Sequence, residues 1–165
     1  SEEETILYGS RDINEKIFNS TFENTLRLII LLDVFKEPKT EDMLYSIDFI
    51  TQYSAEFNIS TNNLHGENAF MFSEFATRKE IIRLALKDMV LEGYVKPING
   101  QSGITYTLTG DGKAFASELD SEYASDYRQL AELIIEQYGS KSERYIIAEI
   151  HKISKVSAER RMLNE

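Results

Sequence analysis

The residues that could carry acid–base or nucleophilic chemistry are few in this sequence and stand apart from one another. Its 165 residues include two histidines and no cysteine. His151 lies beside Lys152, without a serine or carboxylate at the spacing of a catalytic triad. His65 stands among polar residues with no second ligand nearby, so a hydrated loop histidine is a better interpretation than a metal ligand. We therefore predict no catalytic residue and no metal site.

A phosphate-binding loop is also missing from the sequence. Residues 109–113, Thr-Gly-Asp-Gly-Lys, lack the glycine spacing and the Lys-Ser or Lys-Thr ending of a Walker sequence. The acidic pairs Glu41-Asp42 and Glu122/Asp126 are explained better as hydrated helix faces and partners of helix dipoles than as acid–base pairs. We therefore expect no cofactor and no enzymatic activity.

The composition narrows the class of protein. The absence of cysteine excludes disulfides, thiolate catalysis and cysteine-ligated metals, and it fits a cytoplasmic protein. With 18 Lys and Arg against 28 Asp and Glu, the formal charge is −10, which opposes non-sequence-specific binding to nucleic acid. The longest apolar run, residues 28–32, is far shorter than the roughly 20 residues of a membrane span, and the N-terminus is acidic where a signal peptide is basic. We expect a cytoplasmic chain without a membrane segment.

The stretch 78–119 has the clearest succession of elements, and it predicts a winged helix. A stripe of apolar residues at helical spacing predicts a central helix that lies largely in a core and ends at Gly93. Turn residues then separate two extended runs, 95–98 and 104–108, which predicts a hairpin, the wing. Thr109 stands where the next helix needs an N-cap. The stripe consists of Ile81, Ile82, Ala85, Leu86, Met89 and Val90.

Two further helices are predicted before this region. Residues 22–35 are apolar on almost all sides, so the helix must be covered by its own chain or partly by another protein. Residues 41–57, capped at Thr40, carry an apolar stripe beside an aromatic one. The aromatic stripe is interpreted as core, with a docking surface as the alternative. Its members are Tyr45, Phe49 and Tyr53.

The segment 58–77 has no clean periodicity and is then abruptly aromatic. A loop of this length is typically functional or disordered, and its large apolar side chains argue against simple disorder. They either fold back over the helices or contact a partner. These residues are Phe70, Met71, Phe72 and Phe75.

Two helices are predicted after the wing. Residues 120–138 combine a buried stripe with an acidic outer face that includes Glu132 and Glu136. Residues 142–153 predict a shorter helix that pairs antiparallel with the first. The last residues, 154–165, read as a flexible end or as a segment that orders only against a partner.

The predicted fold class is mainly α with a small β-hairpin (α+β), a winged-helix core extended by N- and C-terminal helices. We expect one domain over residues 1–165, because this length supports a full core without a second domain. Within it, residues 1–20 form an extension, 22–119 the helices and winged helix, 120–153 the helical pair, and 154–165 the tail.

Three short stretches carry a family resemblance. Leu31-Leu32-Asp33 ends the first apolar helix, and Tyr123-Ala124 precedes Arg128-Gln129-Leu130 in another. Together with the long loop and the winged-helix phrase, roughly residues 22–150 resemble the middle component of bacterial ABC-three-component systems. That family includes the small subunit of Lamassu anti-phage defence.

The resemblance implies a non-catalytic subunit of a defence complex. In that family the middle component accompanies a large SMC- or Rad50-like coiled-coil ATPase and an effector, often a nuclease. The chain would then bridge or regulate these partners and meet DNA at most through the assembled complex. Partner contacts are expected at the aromatic loop residues named above and at Glu132 and Glu136.

The competing interpretation is a winged-helix transcription regulator that places a helix in the major groove and a wing on the backbone. Arg83 and Lys87 on the central helix, with Lys96 and Gln101 in the wing, would then contact DNA or a partner. Because Glu80 lies beside these cations in an acidic chain, the surface is poor for DNA, and protein contact is favoured.

Overall fold

The computed structural model describes residues 19–65 and 71–163. Most of the predicted extension 1–20 and Phe70 lie outside the described residues. A π-helical turn, Asn19–Glu23, leads into the first α-helix. The following elements are α1 (Asn24–Phe35), β1 (Lys39–Thr40), α2 (Glu41–Gln52), α3 (Met71–Leu91), β2 (Val95–Gly100), β3 (Gly103–Leu108), α4 (Gly110–Glu118), α5 (Glu122–Tyr138) and α6 (Glu143–Leu163). The predicted α+β class, mainly helical with a small sheet, is confirmed.

The sheet has three antiparallel strands in the order β1-β3-β2. β2 and β3 form the predicted hairpin, with Val95 opposite Leu108 and Gly100 opposite Gly103. β1 adds to the other edge of β3, where Lys39 lies opposite Tyr106. The sequence does not predict this strand, because two residues are too few to show the alternation of a half-buried strand.

Helix α1 lies at the centre of the core. Leu28, Ile29, Ile30 and Leu31 have no exposed surface. The helix is contacted by α2, α3, α4 and α5, so its own chain covers it on nearly all sides. Of the two alternatives for this helix, burial within the chain is the one found, and α1 offers little apolar surface to another protein.

Side-chain caps fix the starts of four helices, α2, α4, α5 and α6, the last through Ser142. The Thr40 hydroxyl accepts a hydrogen bond from the Met43 amide at 3.1 Å, and Thr109 accepts one from Gly112 at 3.0 Å, which confirms both predicted caps. Ser121 caps α5 in the same way. A Cβ on Gly112 would lie 2.0 Å from the Tyr94 carbonyl oxygen, so glycine is required where α4 meets the start of the hairpin.

Three predictions about the later helices are wrong. Helix α3 begins at Met71, so residues 71–77 are helical where the sequence suggests a loop. Helix α6 runs to Leu163, so most of the supposed tail 154–165 is helical. The buried side of α6 continues through Ser154 and Ser157. Because serine is polar, an apolar pattern in the sequence does not reveal these buried positions. Helices α5 and α6 do not form the expected pair; α5 packs on α1 and α2, and α6 packs on α2 and α3.

Candidate partner interface

The outer face of α3 carries apolar side chains that are exposed to solvent. Ile82, Leu86 and Met89 point into the core, as the sequence predicts. On the opposite side Ile81 is 37% exposed, Leu84 51% and Leu91 76%. The prediction that Ile81 is a core residue is therefore wrong. We call Ile81, Leu84 and Leu91 the α3 outer face.

A groove runs along one side of this face. It is bounded by the π-helical turn, where Phe22 is 41% exposed, and by the last turns of α3. The groove has two parts that share Thr21 and Asp88: one is lined by Phe22 and Tyr94, the other by Ile81 and Leu84. The groove thus lies between part of the α3 outer face and the exposed ring of Phe22. Its lining includes Thr25, Met89 and the acidic side chains of Asp88 and Glu92.

The cations of α3 lie away from the groove and are largely paired. Arg83 contacts the carboxylates of Glu41 and Glu80, both at 3.3 Å. Lys79 pairs with Asp42 at 3.3 Å. The acids at the start of α2 therefore neutralise part of the positive charge that a DNA-reading helix would need.

The other predicted DNA or partner residues are exposed but scattered. Lys87 lies on α3, Lys96 on β2 and Gln101 in the turn of the hairpin. Exposure of Arg83 and Lys87 on the same helix agrees with the predicted stripe. In the described part of the chain the stretch from α3 through the hairpin presents no dense group of unpaired cations.

Phe75, in the aromatic segment, has a different placement from the one expected for a partner contact. Phe75 is buried and stacks on Tyr45, with ring centroids 4.6 Å apart, and it also packs on Phe49. Tyr45, Phe49 and Tyr53 are buried as well, so the aromatic stripe of α2 is core rather than a docking surface. Met71 and Phe72 open α3. For Phe75 the alternative of folding back over the helices holds, and its ring has little surface left for a partner.

Glu132 and Glu136 are both exposed on the outer face of α5. Glu122 and Asp126 share that face, and none of the four makes an ion pair within the described part of the chain. Leu133, which the sequence does not single out, lies between them and is about half exposed. This acidic face is separate from the α3 outer face.

A buried polar network, absent from the sequence-based predictions, holds the helices around α1. Arg27 has almost no exposed surface, and its Nε donates to the Asp48 carboxylate at 2.8 Å. Tyr127 donates to the same carboxylate at 2.7 Å, and the Arg27 guanidinium reaches the Tyr123 hydroxyl at 3.3 Å. Burial alone would lower the pKa of Arg27, but the Asp48 carboxylate raises it, so the guanidinium stays charged. Burial and Asp48 raise the pKa of Tyr127 well above its ordinary value.

The network extends into α3 through Arg78. Its guanidinium donates to the side chains of Asn24 at 2.8 Å, Gln52 at 3.0 Å and Glu74 at 3.2 Å. Helices α1, α2, α3 and α5 are thereby joined by charge-assisted hydrogen bonds, which set the position of α3. One signal in the sequence points to this network: Arg27 stands between apolar residues of α1, so a buried position there requires a polar partner.

His65 borders this network. Its Nε2 lies 3.0 Å from the Tyr123 hydroxyl. Burial, followed by the nearby Arg27 and Arg78 charges, lowers the pKa of His65, so the imidazole is neutral near pH 7. Within the described residues no group of three or more histidines and carboxylates is arranged to hold a metal ion. His65 is an exposed side chain whose imidazole hydrogen-bonds to a member of the buried network.

Among the described residues, no helix combines the length and apolar character needed to cross a bilayer. No curated protein and no solved structure matches the sequence. The family described as ABC-three component (ABC-3C) system Middle Component 2 matches residues 17–160, which include every strand and all helices except the last residues of α6. The chain therefore belongs to the Middle Component 2 family of ABC-three component systems.

Proposed function

We propose that this chain is a non-catalytic accessory subunit of an anti-phage defence complex. It bridges or regulates an SMC- or Rad50-like coiled-coil ATPase and an effector nuclease, as the small subunit of a Lamassu-type system would. Membership of a middle-component family supports the role of a subunit. The absence of catalytic motifs from the sequence is the reason for proposing that it has no chemistry of its own.

The observation that carries the proposal is the apolar character of the α3 outer face. Ile81, Leu84 and Leu91 leave apolar surface in water along three turns of one helix. Apolar residues that share an exposed face and border a groove are typical of protein interfaces. Truncating anchors of this kind costs an interface more than truncating scattered rim residues.

The charges around the groove indicate the chemistry of the partner. Asp88 and Glu92 line it, and both are exposed. A partner helix with Leu- or Phe-type anchors and Lys or Arg at its flanks would satisfy both the apolar and the acidic features. We propose that such a helix comes from the ATPase or the effector.

The same surface disfavours the DNA-binding regulator. The order α1-β1-α2-α3-β2-β3 and the strand order β1-β3-β2 are compatible with a winged helix, an interpretation that stays a prediction. In such a fold α3 would enter the major groove. Here that helix exposes Leu84, Leu91 and Asp88, whereas its Arg83 is paired with glutamates. Phosphates would meet apolar and acidic groups, and protein partners suit this helix better.

The proposal is tested by replacing both α3 anchors, Leu84→Glu with Leu91→Glu. Both side chains are at least half exposed, so the fold should remain stable while partner binding is lost. A tagged chain is expressed with the proteins encoded beside it, and the captured ATPase and effector are identified by mass. The matched control is Ile104→Glu in the hairpin, which also places a charge at a half-exposed apolar position.

The expected result is loss of ATPase or effector from the α3 variant, with capture retained in the hairpin control. Circular dichroism should show the same helical content in all three chains. Unchanged capture by the α3 variant, or loss only in the hairpin control, would remove the α3 outer face from the interface. Sequence-specific binding of the purified chain to DNA with nanomolar affinity would instead support the regulator.

A further inference from the structure

The outer face of α6 is positively charged. Arg144, Lys152, Lys155 and Arg160 are exposed, and none of them makes an ion pair in the described part of the chain. At about 100° per residue, the first three lie within one quarter of the helix circumference. Val156 lies beside them and is about half exposed. Helix α6 therefore presents a basic face with an apolar edge, which we call the α6 basic face.

Helix α5 presents a face of the opposite charge. Glu122, Asp126, Glu132 and Glu136 surround Leu133, and all five side chains are exposed. The inner residues Tyr127 and Ile134 are buried against the core, so this outer face remains open. We call it the α5 acidic face.

The two faces match in length but do not meet within one chain. At about 1.5 Å per residue, the acidic residues 122–136 span about 21 Å and the basic residues 144–160 about 24 Å. α5 and α6 each pack on α2 through their inner sides rather than along each other. The charges of α5 are therefore not neutralised by α6 of the same molecule.

We propose that two copies of this chain associate, the α5 acidic face of one against the α6 basic face of the other. In a two-fold symmetric dimer this contact forms twice, because each copy supplies both faces. Leu133 and Val156 provide apolar contact within the charged surface, and the opposite charges select the partner and the register. This dimer is independent of the contacts that α3 makes with other subunits.

A second copy fits the α6 basic face better than nucleic acid does. Tyr145, Val156, Met162 and Leu163 are exposed on this helix, and Glu159 lies among its cations. A phosphate backbone would gain little from the apolar groups and would be repelled by the glutamate. The α5 face offers carboxylates together with an exposed leucine, so it complements both the charge and the apolar edge.

Charge reversal on each face gives a direct test. The first variant is Glu132→Lys with Glu136→Lys, and the second is Lys152→Glu with Lys155→Glu. In a dimer made of either variant alone, residues of like charge would face each other at both contacts. Association should therefore weaken at least about tenfold. Mixed in equal amounts, the two variants again have opposite charges at both contacts and should form a mixed dimer.

The measurement is molar mass by sedimentation equilibrium for the 165-residue chain at low salt. The wild-type chain should be dimeric and should dissociate progressively toward 1 M salt, where the screening length falls to about 3 Å. The control is Asp111→Lys with Glu118→Lys on α4, which changes the net charge as the first variant does, at exposed positions that belong to neither face. It should stay dimeric.

Three results would overturn the proposal. One is a monomeric wild-type chain at all concentrations up to about 100 μM. Another is a mixture of the two folded variants that stays monomeric. The third is loss of the dimer in the α4 control, since net charge rather than these two faces would then govern association. Capture of duplex DNA by the α6 basic face of a monomeric chain would assign that face to phosphate instead.

Discussion

At the scale of single residues, the core contains a buried charge that requires a partner of opposite charge. Arg27 is buried with Asp48, and Tyr127 donates a second hydrogen bond to the same carboxylate. A buried ion pair adds little stability compared with apolar packing, but removal of one partner leaves the other charged and unpaired. The network therefore fixes the arrangement of the helices more than it raises the free energy of unfolding.

Substitution of Asp48 by alanine should be severely destabilising. Within the described residues it leaves the buried Arg27 guanidinium with only the longer pairing to Glu23, at 3.7 Å, and loss of one partner of a buried pair typically costs about 3–5 kcal/mol. Asp33→Ala is the matched control, since Asp33 pairs with Arg128 at 2.7 Å in a partly exposed position and its loss should cost about 1 kcal/mol or less. Urea denaturation of both variants measures the difference. Equal losses in the two variants would mean that the buried network does not hold the core.

At the scale of elements, the sequence predicts what is periodic and misses what is short or polar. The hairpin, the caps at Thr40 and Thr109, and the central position of α1 follow from turn residues, hydroxyls and a continuous apolar run. Strand β1 is not predicted, because two residues are too few to show an alternating pattern. The second half of α6 is not predicted, because the residues on its buried side include serines rather than apolar residues.

The candidate interface is only partly predictable for a related reason. Predicted contact residues such as Lys87 and Glu132 are exposed as expected, since charged side chains are rarely buried without partners. The sequence does not decide between a core and an interface for Phe75, because an apolar aromatic residue suits both until its neighbours are known. Ile81 and Leu84, in contrast, are apolar residues that remain exposed. Only the positions of the neighbouring helices decide which apolar residues of α3 are covered.

A proline substitution can test whether the second half of α6 is helical and part of the folded unit. Val156→Pro removes a backbone donor and clashes with the preceding turn, which costs a helix interior about 3 kcal/mol. Stability should fall by up to that amount, because Ser157 and the pairing of Arg161 with Glu56 lie beyond the break. Val156→Ser is the control, since it leaves the helix intact. Thermal unfolding followed by circular dichroism distinguishes them; a melting temperature unchanged by proline would mean that this region is not part of the folded unit.

At the scale of the whole molecule, the surfaces are divided by chemistry. The α3 outer face is apolar with an acidic groove, α5 is acidic and α6 is basic. A subunit that joins others needs several independent surfaces, and a core joined by buried charge-assisted hydrogen bonds can hold them in fixed positions. Membership of the Middle Component 2 family agrees with such a role, because a component of a multi-component system has partners to bind.

The most direct test of the proposed function is whether the ATPase and the effector need this chain in order to associate. The proteins of the system are expressed together with and without the chain, and the complexes are weighed by native mass spectrometry. We expect a complex of all three components when the chain is present, and separate ATPase and effector when it is absent, with loss of protection against phage. Equal association of ATPase and effector without the chain, together with full protection in cells that lack it, would contradict the account.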